Sequence, residues 1–216
     1  MARRFQLPFA ALLLSLAGLG VAVADEGPDP TGTWTITEGG TVEFAAAPHG
    51  VRRYTAKWDT PSGKYEGIGL VRMNRLIVGW GKGATGVMFL TREGEAWKGD
   101  WVAPGAEGEA LGHETWTTAA LEGTHEVAGS NPDASTYAAS VVCEKKGDVY
   151  SFTWTQGDKT WTGVGLKLDE EHVAIGYGNG NYGAIFYDLT GGDTVEGRWA
   201  SQKDRRYAVE HITRRK

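Results

Sequence analysis

At 216 residues the chain is long enough for two small domains, and with one cysteine, Cys143, it can form no internal disulfide. Lys and Arg number 22 against 27 Asp and Glu, a net charge of −5, which argues against the basic footprint of a nucleic-acid binder.

Residues 1–24 read as a secretion leader. Arg3 and Arg4 supply the positive end, an apolar run extends from Leu7 to Val23, and Ala22-Val23-Ala24 is a cleavage site of A-x-A form. The run is short beside the about 20 apolar residues of a membrane span, and no cysteine stands at the cleavage site to take a lipid anchor. The mature chain starts at Asp25 with a net charge of −7, because the leader removes two arginines and no acid, leaving 20 basic residues against 27 acidic. The expected location is secreted or periplasmic. Packing and backbone pairing must then hold the fold without sulfur bridges. Cys143, at the end of Ala139-Ser140-Val141-Val142-Cys143, reads as a buried strand position. The basic clusters at 203–206 and 214–216 read as solvated rims.

The remainder contains itself twice. From Tyr54 the chain reads YTAKW, GIGL, GWGKGATG, MFL, GDW and ALGHET; from Tyr150 it reads YSFTW, GVGL, GYGNGNYG, IFY, GRW and AVEHIT. Hydrophobic residues alternate: Leu76, Val78 and Trp80 share a face, as do Val173, Ile175 and Tyr177. Short alternating runs punctuated by Gly, Asn, Asp and Pro are strands joined by tight turns. Strands are expected near 32–37, 41–46, 52–59, 64–72, 75–81, 86–92, 96–102 and 110–117, then near 123–128, 137–144, 148–155, 160–168, 172–178, 183–189, 195–200 and 206–213. Connections of two to six residues make neighbours antiparallel. The fold class is therefore all-β, an antiparallel up-and-down meander made twice, with repeats at 25–120 and 121–216. Each copy either closes as its own small barrel or sandwich, the preferred arrangement, or the two join as halves of one larger sheet. Closure hides edge strands. The strand-interior pairs Gly67/Gly69 and Gly163/Gly165 mark places where a bulky ring can lie over the gap.

Gly32-Thr33-Trp34 opens the first copy, and a G-x-W on the first strand of an up-and-down barrel resembles the calycins, meaning lipocalins, avidins and fatty-acid-binding proteins. That resemblance implies a tryptophan closing one barrel end against a basic residue near the last strand. In the second copy Gly123-Thr124-His125 places His where the Trp stood. The segments Trp58 to Gly69, Val78 to Gly81 and Gly99-Asp100-Trp101, with their counterparts Trp154 to Gly165, Ile175 to Gly178 and Gly197-Arg198-Trp199, resemble secreted bacterial repeat proteins labelled fibronectin-binding.

G-x-G-x-x-G occurs twice, at 81–86 and 178–183, but strand-like Val87-Met88-Phe89-Leu90 and Ala184-Ile185-Phe186-Tyr187 follow where a dinucleotide site needs a helix. These glycines are read as hairpin residues supplying positive φ. His113 and His211 fall at matching places on the last strand of each copy, with too few convergent ligands for a metal site. No nucleophile constellation and no repeated carboxylate pair is evident, so no catalytic residue, metal or cofactor is assigned. The aromatic residues are the best lead: Tyr54/Tyr150, Trp58/Trp154, Tyr65/Trp161, Trp80/Tyr177, Phe89/Phe186 and Trp101/Trp199 are matched pairs. They fill a glycine-rich core, or some of them line a pocket or an exposed patch. Trp80, Tyr177 and Tyr182, placed at hairpin tips, together with Trp58 and Trp154, are the candidate binding residues. The expected function is non-catalytic engagement of a protein or matrix partner through those tips; the alternative is carriage of a small apolar ligand inside a barrel. No nucleic acid and no membrane span after leader removal are expected.

Overall fold

The computed structural model of the chain describes residues 27–48, 52–103 and 110–216; the leader at 1–24 lies outside them. Sixteen strands follow the predicted order: β1 (Gly32–Ile36), β2 (Thr41–Ala46), β3 (Arg53–Thr60), β4 (Gly63–Arg72), β5 (Arg75–Gly81), β6 (Thr85–Glu93), β7 (Ala96–Val102), β8 (Gly112–Trp116), β9 (Gly123–Ser130), β10 (Thr136–Lys146), β11 (Val149–Gln156), β12 (Lys159–Lys167), β13 (His172–Gly178), β14 (Tyr182–Asp188), β15 (Thr194–Ser201) and β16 (Ala208–Arg214). One 3-10 turn, Leu189–Gly191, precedes β15.

They close into two antiparallel eight-stranded barrels, as the repeat implies, but the strands are shared between the copies. Barrel A runs β1-β16-β15-β14-β5-β4-β3-β2, and barrel B runs β10-β11-β12-β13-β6-β7-β8-β9. Each barrel takes five consecutive strands from one copy and three from the other. The division at 120/121 therefore separates the repeats without separating the barrels.

The exchange happens at the two glycine-rich motifs, which are not hairpins. Instead of folding back on β6, β5 pairs with β14, with Gly81 opposite Tyr182; instead of folding onto β14, β13 pairs with β6, with Gly178 opposite Thr85. The three-residue links 82–84 and 179–181 run side by side between the barrels, and the Lys82 N–H donates to the Asn181 carbonyl at 3.1 Å. Of the six motif glycines only Gly180 has a positive φ, at 82°. The others are needed mainly for close approach. A Cβ on Gly81 would collide with the Thr85 hydroxyl, and one on Gly178 would lie 2.7 Å from the Ala84 carbonyl oxygen. Just before each motif, a Cβ on Gly79 would overlap the Gly86 carbonyl oxygen, and one on Gly176 the Gly183 carbonyl oxygen. A three-residue link is compatible with a hairpin loop or with a straight crossing, so its length alone does not choose between them.

Strand alternation then builds three cores. Leu76, Val78, Ile185 and Tyr187 point into barrel A with Trp34, Val42 and Phe44. Met88, Leu90, Val173 and Ile175 point into barrel B with Trp97, Trp116 and Phe152. The opposite faces of the same strands, carrying Ile77, Val87, Phe89, Ala174, Ala184 and Phe186, pack together with Leu70, Val164 and Leu166 between the barrels. That is why the runs at 86–90 and 183–187 are apolar throughout: they are buried on both faces. Ring-over-glycine packing occurs at three of the four predicted glycines; the fourth, Gly69, faces the aliphatic side chains of Leu76 and Val78 and the Ile77 carbonyl instead. Trp58 stands over Gly67, Trp154 over Gly163 and Phe152 over Gly165, leaving 2.5 to 3.2 Å for an added Cβ.

Trp34 plugs the end of barrel A at which β1 begins. Its indole N–H donates to the Pro30 carbonyl at 2.9 Å, and the Arg214 guanidinium on β16 lies 4.3 Å from its ring centroid. Arg214 also donates to the carbonyls of Thr31 and Asp29. In barrel B the corresponding His125 is buried, bonding Thr118 at 2.9 Å and the Leu121 carbonyl at 3.0 Å. Cys143 is a buried free thiol in the barrel B core, and burial pushes its pKa up.

Candidate functional site

The opposite end of each barrel, where the exchange links enter, is open. In barrel B it holds a pocket of about 330 Å³ walled by Trp101, Tyr137, Trp161 and Tyr177, with Trp154 and Glu114 deeper. In barrel A a pocket of about 380 Å³ is walled by Tyr65, Trp80 and Trp199, with Trp58 and Glu210. Both fall at the lower end of the about 300–1,000 Å³ range of small-ligand sites. Four of the six matched aromatic pairs line these two cups. Of the other two, Tyr54 and Tyr150 sit in the barrel cores, and Phe89 and Phe186 sit between the barrels.

Glycines keep the cups open. Tyr177 lies over its cross-strand partner Gly86, Trp80 over Gly183, Trp101 over Gly112 and Tyr137 over Gly129; a Cβ on any of the four glycines would overlap the ring. The rings lie along the wall instead of crossing the lumen. Deeper rings are tied to one another: Trp154 and Trp161 are near-parallel at 4° with centroids 6.2 Å apart, and Trp154 and Tyr177 are 6.4 Å apart. In barrel A, Trp80 meets Tyr65 and Trp199 edge to face at 5.5 and 6.0 Å.

Each cup has a carboxyl group in its floor. Glu114 on β8 is 4% exposed. Its Oε2 accepts from Trp116 Nε1 at 2.7 Å and Trp154 Nε1 at 3.1 Å, and its Oε1 accepts from the Tyr137 hydroxyl at 2.7 Å. Burial raises its pKa, and the three donors oppose that shift. Glu210 on β16 accepts from the Tyr187 hydroxyl and the Trp58 indole, and burial again raises its pKa. Trp154 and Trp58 are repeat counterparts, so one indole–carboxylate contact is built twice. Each instance joins the copies: Glu114 from the first meets Trp154 from the second, and Glu210 from the second meets Trp58 from the first.

Of the five predicted site residues, Trp58 and Trp80 fall in one cup and Trp154 and Tyr177 in the other. Tyr182 does not join them. It is 2% exposed on the outer face of β14, where its hydroxyl meets Thr162 of barrel B at 2.6 Å. None of the three residues expected at hairpin tips projects as an exposed tip: Trp80 and Tyr177 face the interiors and are half-buried.

The carboxyls escaped the sequence reading because the last strand slips. Aligning His113 with His211 hides them, whereas the ladders place Glu114 opposite Gly99 and Glu210 opposite Gly197, so the two acids are the equivalent residues. The histidines are not equivalent. His113 faces Asp100 at 2.8 Å outside barrel B, and His211 lies near Glu38 and Glu196 at 4.0 and 3.9 Å outside barrel A. The available signal was E-x-W in one copy and E-x-I in the other, with an inward acid two residues before an inward apolar side chain.

No protein-family model, no curated protein and no solved structure matches this chain.

Proposed function

We propose that this is an exported, non-catalytic binding protein that holds a small, largely apolar ligand in the cup of each barrel. The observation that carries the reading is the twofold occurrence of an open aromatic cup of about 330 to 380 Å³ with a carboxyl floor. Indoles and phenols supply large apolar contact, and a few polar groups fix orientation, which is the usual division of labour in a ligand pocket. Among the described residues, the wall of the barrel B cup contains no Ser, Cys or His to act as nucleophile or base. The end-plug packing of Trp34 against Arg214 adds support for a carrier of calycin type. Docking of a protein or matrix partner through exposed aromatics loses the feature it relied on, because Trp80, Tyr177 and Tyr182 are turned inward or buried.

The reading is tested by titrating the mature protein with the neutral fluorophore N-phenyl-1-naphthylamine. Saturable enhancement is expected, weakened by Trp161→Ala in one cup and Trp199→Ala in the other. Enhancement that does not saturate, or that ignores both substitutions, removes the reading.

A further inference from the structure

The geometry points to a specific ligand chemistry for the barrel B cup: a small primary ammonium compound with an apolar or aromatic body, its charged head on Glu114 and its body against Trp161 and Tyr177. This rests on the cup being a small-ligand site. Among the described residues, Glu114 is the only charged side chain in the wall of that cup, with no Lys or Arg opposite it. Its bonded partners are the two indoles and the phenol already described, all neutral. A carboxylate offers about four acceptor sites; three are filled, and the free one is on Oε1. Three neutral donors hold the group in place without cancelling its charge. A buried charge without a counter-ion is costly, and an ammonium head supplies both the missing charge and the fourth hydrogen bond. Rings around the head add attraction through their negative faces.

The other barrel carries an ammonium group beside its cup. Lys82, on the first link, puts its own Nζ 5.1 Å from the ring centroid of Tyr65 at the cup of barrel A. Its counterpart on the second link is Asn179, which lines the barrel B cup and carries no charge. Barrel A thus carries an ammonium group over an aromatic ring of its cup, and barrel B has none at the matching position.

The test compares 2-phenylethylamine with 2-phenylethanol, which has the same size and body but no charge, by isothermal titration calorimetry at neutral pH. The amine is expected to bind wild type at least tenfold more tightly. Glu114→Gln should bring the two to parity, while Glu43→Gln, at an exposed carboxylate on β2 that lines neither cup, should leave the preference in place. Equal binding of both compounds by wild type, or preference for the alcohol, removes the ammonium assignment and leaves the cup as a neutral site. Absence of saturable heat from both removes the assignment and the small-ligand reading together. The wild-type comparison needs no variant, so a folding defect in Glu114→Gln does not blunt it.

Discussion

Gly176→Ala should be among the most damaging single-methyl additions in this protein. The new Cβ would lie inside contact distance of the Gly183 carbonyl oxygen, 2.7 Å from the Gly183 carbonyl carbon and 3.1 Å from the Ala184 Cα. All three atoms are backbone, so no rotamer change relieves the clash. Neither strand can move alone: β13 is laddered to β12 and β6, and β14 to β5 and β15. Separating them would open the core that contains Phe89, Ala174 and Phe186. Overpacking usually costs about 1–3 kcal/mol, and a rigid partner places this case near the top of that range. With about 2–4 °C lost per kcal/mol in a chain of this size, the melting temperature should fall by roughly 6–12 °C. Gly157→Ala is the control: φ is +60° and nothing lies within 4 Å of its Cβ, so only the left-handed backbone penalty of about 1–2 kcal/mol remains. Thermal melts followed by circular dichroism, with urea titrations followed by tryptophan fluorescence, give both numbers. If Gly176→Ala costs no more than Gly157→Ala, the strands do not pass as closely as described and the crossing is wrong. Gly79→Ala should behave like Gly176→Ala, because its Cβ meets the Gly86 carbonyl in the same way.

Other consequences follow from the buried groups. The folded-state pKa values of Glu114 and Glu210 are raised above 4.5, so their contribution to stability grows as pH falls from neutral through the raised values towards 4.5 and is lost again as pH rises through them. Wild type should gain on a Glu114→Gln/Glu210→Gln variant over that window in urea midpoints; parallel pH profiles would refute the burial argument. Cys143, buried and with its thiol pKa pushed up, should resist a thiol-disulfide reagent in the native protein and react fully in urea; rapid native labelling would contradict its placement. Arg214→Ala removes the guanidinium over Trp34 and two carbonyl contacts and should cost about 1–3 kcal/mol, with Arg214→Lys a poor rescue because a point charge cannot stack and fork at once. A urea midpoint unchanged by Arg214→Ala would show that the end plug does not depend on it.

Local pattern carried most of the secondary structure. All sixteen strands sit within a few residues of their expected places, because alternation, turn residues and the repeat agree at each one. That a ring would lie over Gly67 and over Gly163 was legible for the same reason, though which ring was not. The strand exchange was not. A link such as 82–84 has the same length whether β5 turns back onto β6 or continues into the other barrel, and because the copies are alike, β14 offers β5 nearly the edge that β6 would. The remaining hints were non-local: runs at 86–90 and 183–187 apolar on both faces, and glycines at 79 and 176 whose neighbours lie about a hundred residues away for one face and across the link for the other. The cups followed from four aromatic pairs recognised as matched, but their floor did not. Glu114 and Glu210 are hidden by the two-residue slip in the last strand, and an acid that faces inward reads in sequence like any surface carboxylate until the ladder shows its direction.

Everything claimed for the cups depends on copies that exchange strands, and a pair of cysteine crosslinks tests that most directly. In the exchanged fold Thr35 on β1 stands opposite Thr213 on β16, and both are exposed. If each copy closed on itself, Thr35 would face Thr117, the residue that follows β8 in its own copy. Under mild oxidation, with Cys143 replaced by Ala, Thr35→Cys/Thr213→Cys should form an intramolecular disulfide and migrate as a compact monomer on a non-reducing gel, and Thr35→Cys/Thr117→Cys should not. A crosslink from 35 to 117 and none from 35 to 213 would contradict the exchange, and with it the assembly of each cup from both copies.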